Sequence, residues 1–148
     1  MTAKLGAQNI LTMEPTDPTT YEAETRGVNV QVVTSYIEEH SDPPARYVWA
    51  YMIRIENRSE QTVHLVSRHW IITDAQGRVE EIEGPGVVGE QPVLRPGEVH
   101  SYTSGCPLPT SSGWMRGAYR MEVEGGEPFD AQIPAFSLDL PGARAVVN

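Results

Sequence analysis

Cysteine and lysine are almost absent from this 148-residue chain. Cys106 is the only cysteine, which excludes an intramolecular disulfide and makes a reducing compartment the simplest expectation. Lys4 is the only lysine, and the formal net charge is -9. Binding to nucleic acid needs clustered cations that neutralise phosphates, so no nucleic-acid partner is expected.

Long apolar runs are missing as well. No stretch approaches the roughly 20 apolar residues of a membrane span, and residues 1–6 lack the apolar segment of a signal peptide. We therefore expect no membrane partner and a cytoplasmic location. A chain of this length buries about 68–70% of its unfolded surface as one domain, so folding requires no cofactor, metal or disulfide.

Helical periodicity is also absent, and the sequence shows the two-residue alternation of β-strands instead. From Tyr47 to Ile55 the odd positions are apolar, which predicts a central core strand. The run from Val63 to Thr73 is apolar on both parities, which indicates either cover on both faces or a bulge that switches the buried face. Parity also reverses across Pro134-Ala135, which predicts a bulge on an edge strand.

These strands and the Gly- and Pro-rich turns between them predict an all-β fold. We expect an antiparallel β-sandwich of the immunoglobulin or fibronectin type III-like class, with about seven strands or more. The predicted organisation is a flexible leader over residues 1–26, a sandwich domain over 27–140 and a tail over 141–148. The sequence does not decide whether copies of the chain pair through their sheet edges, and Pro134 would oppose such pairing.

One segment carries the letters of a phosphate-binding loop, G-x-G-x-x-G, at Gly84, Gly86 and Gly89. A dinucleotide site of this kind needs a helix directly after the glycines, and Pro92 and Pro96 prevent one. The favoured interpretation is therefore structural: the glycines permit positive φ where the chain crosses between strands.

The alternative interpretation of the loop is a pyrophosphate cradle made of backbone N–H groups. Arg68 and Arg95 are the candidate cations for it, and Glu90 and Gln91 complete the candidate segment. Against the alternative, no lysine is in reach, no acidic residue follows about 20 positions on, and acidic residues flank the glycines.

A second candidate surface rests on aromatic residues. Trp114 alternates with Arg116 and Arg120, and Trp and Arg are the residue types that anchor protein interfaces. If Trp114 and Trp70 both lie on an outer face, the sheet offers a protein-binding surface. The equally simple alternative places both tryptophans in the core.

Catalysis and metal binding have weaker support. His64 and His69 are five residues apart on one strand, hence on opposite faces if the strand is regular. The acidic residues of the segment Glu80–Glu90 are more simply a solvated face than a magnesium site. Cys106 and the nearby serines have no visible base, so we expect neither a metal site nor an enzyme.

Specific residues give a family resemblance. The series begins with Arg68-His69-Trp70 and continues through the glycine loop; its later members are Leu94, Pro96-Gly97, Tyr102, Ser104-Gly105, Gly113, Met115, Gly117 and Tyr119. It resembles the ApaG family over about residues 27–140. The resemblance implies an immunoglobulin- or fibronectin-like sandwich, found as a small bacterial protein and as a domain of some eukaryotic F-box proteins.

The same resemblance implies an association with cobalt resistance and magnesium efflux, but no defined reaction. A fold alone does not supply a function. Three hypotheses follow: a non-enzymatic binding or adaptor module that recognises an unidentified protein, a sensor of a nucleotide or pyrophosphate at the glycine loop, and a divalent-cation binder.

Overall fold

The computed structural model describes residues 20–142 and contains nine strands in that range. Their bounds are β1 Tyr21–Thr25, β2 Val28–Tyr36, β3 Tyr47–Asn57, β4 Val63–Asp74, β5 Val79–Pro85, β6 Val93–Leu94, β7 Val99–Leu108, β8 Gly113–Val123 and β9 Phe129–Leu138. A single 3₁₀ turn, Glu38–His40, follows β2. Within this range no helix is long and apolar enough to cross a membrane.

The strands form two antiparallel sheets. The first sheet has the order β1-β2-β3-β7, and the second has the order β5-β4-β8-β9 with the short β6 paired to the start of β4. Their inner faces pack together around one apolar core. The all-β antiparallel sandwich predicted from the sequence is confirmed.

Strand β3 is central, as the heavy apolar face of Tyr47–Ile55 predicts. It lies between β2 and β7, and Trp49, Ile53 and Ile55 are fully buried. The indole N–H of Trp49 donates to the carbonyl of Asp139, 2.9 Å away, so the largest core side chain is also satisfied at its polar atom.

Strand β4 has a bulge at Val66, where its pairing to β8 shifts between Leu65 and Ser67. Before the bulge Val63 and Leu65 are buried, and after it Trp70 and Ile72 are buried. The extra residue thus transfers the buried face from odd to even positions. Of the two sequence interpretations, the face-switching bulge is the one observed.

Strand β9 is the edge of the second sheet and also carries a bulge. Its pairing to β8 shifts so that Pro134 and Ala135 have no partner on β8. The bulged edge strand predicted from the parity reversal is confirmed. The reversal keeps both Ile133 and Phe136 buried.

Two segments differ from the sequence predictions. Tyr21–Thr25, which the prediction assigns to a leader, forms β1 and pairs along its length with Val28–Val32. A positive φ at both Arg26 and Gly27 makes the tight turn between them. β7 extends to Leu108 rather than ending near Ser104, so the segment around Cys106 is strand rather than turn. The rest of the predicted leader (1–19) and tail (143–148) lies outside the described residues.

Candidate functional site

The glycine loop leaves β5 and makes a two-residue turn. Val87 and Glu90 exchange both backbone hydrogen bonds, at 2.7 and 3.0 Å. Val88 and Gly89 between them both have positive φ, 47° and 80°, which defines a type I′ turn. The N–H of Gly86 donates to the carbonyl of Val66 at the β4 bulge. Three N–H groups of the loop are therefore bonded within the fold.

Gly86 has no room for a side chain, and a side chain at Gly84 would displace the Arg68 guanidinium. A Cβ on Gly86 would meet the carbonyl oxygen of Glu90, and a Cβ on Gly84 would lie 2.9 Å from the Arg68 guanidinium. Glycine at these positions thus allows close approach of neighbouring groups, which is a structural use of the motif. This geometry supports the crossover interpretation over the pyrophosphate cradle.

Arg68 holds the loop in place. Its Nη1 donates to the carbonyls of Pro85 and Gly86, at 2.9 and 3.1 Å. Gln91 adds a third hydrogen bond, in which its Nε2 donates to the carbonyl of Val66 at 2.8 Å. Arg95 lies apart from this group, in the turn after β6, where its backbone N–H donates to Glu98. The structure therefore joins Arg68 and Gln91 to the loop and leaves Arg95 out.

A cluster of tyrosines lies beside Arg68 inside the sandwich. Tyr119 is the direct cross-strand neighbour of Arg68, and its hydroxyl hydrogen-bonds that of Tyr102. Burial raises the pKa of Tyr51, Tyr102 and Tyr119, and the Arg68 charge opposes that rise in all three. Sequence reasoning missed this cluster, because its members come from three strands of two sheets.

The outer face of the second sheet is concave. Two open depressions of about 540 and 370 Å³ lie side by side over β4 and β8 and share His69 and Ala118 in their walls. Arg120 with its ion-pair partner Asp130, 3.3 Å away, bounds the larger one. The imidazole of His69 contacts the Glu81 carboxylate at 2.9 Å.

Trp114 and Trp70 have opposite environments. Trp114 is 41% exposed on the outer face of β8, and the Arg116 guanidinium lies 5.9 Å from its ring centroid. Trp70 is only 3% exposed and packs edge-on against Tyr51 and Phe136 in the core. The hypothesis that Trp70 joins Trp114 on a surface is therefore wrong, since the Val66 bulge turns Trp70 inward.

Among residues 20–142, no three His, Cys, Asp or Glu side chains lie close enough to hold a metal ion. Cys106 is buried in β7, and burial raises the pKa of its thiol to about 12. A thiol of this kind is a poor nucleophile at neutral pH.

The region that contains these candidate residues also matches a known protein family. The family model described as ApaG domain matches residues 37–123, which include β3, the β4 bulge, the glycine loop and all of β8. The chain belongs to the ApaG family. The ApaG match ends at Val123, and the sandwich continues beyond it through β9.

The similarity to curated ApaG proteins covers most of this chain and nearly all of each relative. Protein ApaG of Mesorhizobium japonicum is 59% identical over 129 residues, which are 86% of this chain and 99% of that protein. Protein ApaG of Rhodospirillum centenum is 57% identical over the same length and shares. The similarity to ApaG proteins is therefore longer than the segment 37–123 that the family model matches.

Solved structures agree with the fold. The crystal structure of the putative ApaA protein from Bordetella pertussis is 48% identical and has a TM-score of 0.74, covering 84% of this chain and 98% of that one. An X-ray structure of a structural-genomics target is 45% identical with a TM-score of 0.76, covering 82% of this chain and 92% of that one. Both structures therefore share the fold of this chain.

Proposed function

We propose that this ApaG protein is a non-enzymatic binding or adaptor module that recognises another protein through the outer face of β4 and β8. The observation that carries the proposal is Trp114, a large apolar ring that stays exposed beside Arg116, and Arg116 in turn lines the smaller of the two depressions. Partly exposed Trp and Arg side chains are the commonest anchors of protein interfaces. The partner fitting this face presents an apolar side chain next to a carboxylate.

The chemistry of the described residues supports a role without catalysis. The only cysteine is a buried thiol with a raised pKa, and the Asp and Glu residues form no metal-binding group within residues 20–142. Catalytic sites generally bring a perturbed acid, base or nucleophile into an accessible cleft. Here the perturbed tyrosines lie inside the sandwich, where the hydroxyls of Tyr102 and Tyr119 bond to each other. A cytoplasmic location is part of the proposal.

The test uses photo-crosslinking in cells with the crosslinker at Ile71, which lines the smaller depression. The partner captured by the wild type should be lost in Trp114→Ala and reduced in Arg116→Gln. Val93→Ala is the matched control, because Val93 is a 55% exposed apolar residue on β6. Equal capture by the wild type and Trp114→Ala would contradict the proposal.

The small-ligand hypothesis has one observation in its favour. Arg68 carries a charge that no carboxylate within residues 20–142 pairs, and it lies against the glycine loop. Calorimetric titration with diadenosine tetraphosphate, ATP and pyrophosphate tests it, with Arg68→Gln as the comparison. Absence of heat at millimolar ligand would end this hypothesis.

The divalent-cation hypothesis rests on the family association alone. A cation that binds the folded protein raises its melting temperature, since binding far above the dissociation constant stabilises by a few kcal/mol. An unchanged melting temperature in excess cobalt or magnesium would rule out such binding.

A further inference from the structure

The strand β7 is an edge whose outer backbone side has no partner within residues 20–142. The N–H of Asn57 donates to the carbonyl of Glu98, which sets the alternation of the ladder between β3 and β7. Even-numbered residues of β7 therefore bond to β3, and odd-numbered residues turn their backbone groups outward. The outward N–H donors belong to Val99, Ser101, Thr103 and Gly105. Pro107 falls on the outward side, where its missing N–H costs no ladder bond.

Most of the β7 edge lacks the usual protection against strand addition. Edge strands are commonly short or charged, or they are interrupted by bulges or proline, and here only Pro107, near the end of the strand, is such a residue. β7 has ten residues from Val99 to Leu108, a continuous ladder with β3 and no Asp, Glu, Lys or Arg side chain. The opposite side of the sandwich is closed instead, because Thr25 of β1 accepts a hydrogen bond from the N–H of Gln132 on β9.

Beside this edge, the inner face of β5 is only partly covered: Ile82 packs against the margin of the core, and Glu80 is exposed. Tyr51 of β3 packs on Trp70 of β4, and Tyr102 of β7 reaches Tyr119 of β8, so β3 and β7 cover β4 and β8. β5 extends one strand further. Its residue Ile82 pairs with Trp70 and is only half-buried.

Glu80 lies next to Ile82 on the same side of β5. The two residues are two positions apart on one strand and so share a face, and Glu80 is exposed. Within residues 20–142 Glu80 forms no salt bridge. Burial is the main cause of the raised pKa of the Cys106 thiol on β7, and the negative charge of Glu80 is the second cause.

We propose that an extended segment of a partner protein adds to the first sheet along β7 and covers the inner face of β5. Backbone hydrogen bonds to the outward groups of β7 supply affinity, and alternate side chains supply specificity. The segment carries a basic residue that meets Glu80 and, two positions away, an apolar residue that packs on Ile82. This site is separate from the Trp114 face and goes beyond the function proposed for it.

A second copy of this chain fits the site less well than a basic segment. The inward side chains of β7 that a copy would bring are His100, Tyr102, Ser104, Cys106 and Leu108, with no lysine or arginine among them. The net charge of -9 also opposes association of two copies.

The test uses a fluorescein-labelled peptide, Thr-Thr-Lys-Thr-Val-Thr-Thr, which carries a lysine and a valine two positions apart. We expect saturable binding by anisotropy and slowed amide exchange at the outward N–H groups of β7. Thr103→Pro removes one outward N–H and should weaken binding by about tenfold or more. Thr103→Val keeps the N–H and serves as the matched control.

Further comparisons separate the possible outcomes. Glu80→Gln should weaken binding of the lysine peptide but not binding of a peptide with glutamine in place of the lysine. Trp114→Ala should change the binding of neither peptide. No saturable binding up to millimolar peptide, or equal binding by Thr103→Pro and Thr103→Val, would overturn the proposal. Analytical sedimentation tests whether a second copy occupies the edge instead. If the wild type dimerises and Thr103→Pro does not, a second copy is the occupant and the proposal is overturned.

Discussion

At the scale of single residues, Val88 holds a conformation that valine rarely adopts. It is the first central residue of the type I′ turn, with φ 47°, and it is 62% exposed. The left-handed region crowds a Cβ against the carbonyl and costs roughly 1–2 kcal/mol for ordinary residues. Its exposed side chain offers little burial in return.

Replacing Val88 with asparagine should therefore stabilise the protein. Val88→Asn creates the Asn-Gly pair that type I′ turns favour, and we expect a gain of about 1 kcal/mol in the free energy of unfolding. Urea denaturation measures it. Val93→Asn is the control, since Val93 is also exposed but lies in extended β6, where asparagine has no such advantage. Equal effects at the two positions would contradict the turn argument.

At the scale of elements, the β4–β5 hairpin depends on Asp74. One carboxylate oxygen accepts from the N–H groups of Gln76 and Arg78, at 2.8 and 3.0 Å, and the other accepts from the Arg78 Nε at 2.8 Å. The Arg78 side chain is the main reason why the pKa of Asp74 lies below its ordinary value of 3.8. The ionised form is thus favoured by folding.

A lowered carboxyl pKa gives a stability contribution that is present above pH 3.8 and is lost as the pH falls through the lowered value. Asp74→Asn removes this contribution, so it should lower the urea midpoint at neutral pH. The difference from the wild type should shrink as the pH falls below 3.8. A difference that stays constant down to strong acid would show that the lost charge is not its cause.

The β8–β4 pairing depends on Gly117 for close approach. A Cβ at this position would meet the carbonyl oxygen of His69 on the neighbouring strand. Gly117→Ala should therefore force the strands apart and destabilise the protein by about 1–3 kcal/mol. At Gly105 an added Cβ would only make an ordinary contact, 3.5 Å from the Trp49 carbonyl.

Gly105→Ala is therefore the matched control for Gly117→Ala. We expect it to change the free energy of unfolding by less than about 0.5 kcal/mol. Thermal or urea denaturation of the two variants in parallel makes the comparison. Similar losses at both positions would indicate that strand glycines matter here for reasons other than space.

At the scale of the whole molecule, Tyr21 joins the two sheets. It lies on β1 of the first sheet, and its ring centroid is 6.1 Å from that of Phe136 on β9 of the second. Its hydroxyl hydrogen-bonds that of Ser137 at 2.9 Å. Tyr21 thus helps to close the side of the sandwich opposite β7.

Tyr21→Ala should destabilise the sandwich by about 2–4 kcal/mol, because it removes both the ring packing and the hydrogen bond. Tyr21→Phe keeps the ring and should cost only about 1 kcal/mol. Urea denaturation measures both. If both variants unfold at the wild-type midpoint, β1 does not contribute to holding the sheets together.

Much of the fold follows from local patterns. The apolar alternation of Tyr47–Ile55 predicts β3, and the parity reversal at Pro134-Ala135 predicts the β9 bulge, because side chains alternate strictly along a strand. The pattern fails for Tyr21–Thr25, where a short strand is held by pairing to β2 and by contacts with β9.

The candidate site was less predictable. The sequence left both Trp70 and Trp114 open to a core or a surface position, and the Val66 bulge in β4 decides that Trp70 faces inward. The tyrosine cluster beside Arg68 and the partly covered face of β5 depend on which strands of one sheet lie over which strands of the other. Such packing joins residues far apart in the chain.

The sequence by itself determined that this chain is an antiparallel β-sandwich of the ApaG family, because strand periodicity, turn residues and family-specific spacings are all local features. The tertiary structure decided how the special residues are used. It bonds the glycine loop to its own fold through Arg68, exposes Trp114, and leaves the outer edge of β7 without a partner strand within residues 20–142. These outcomes depend on the offset between the two sheets, which no local pattern specifies.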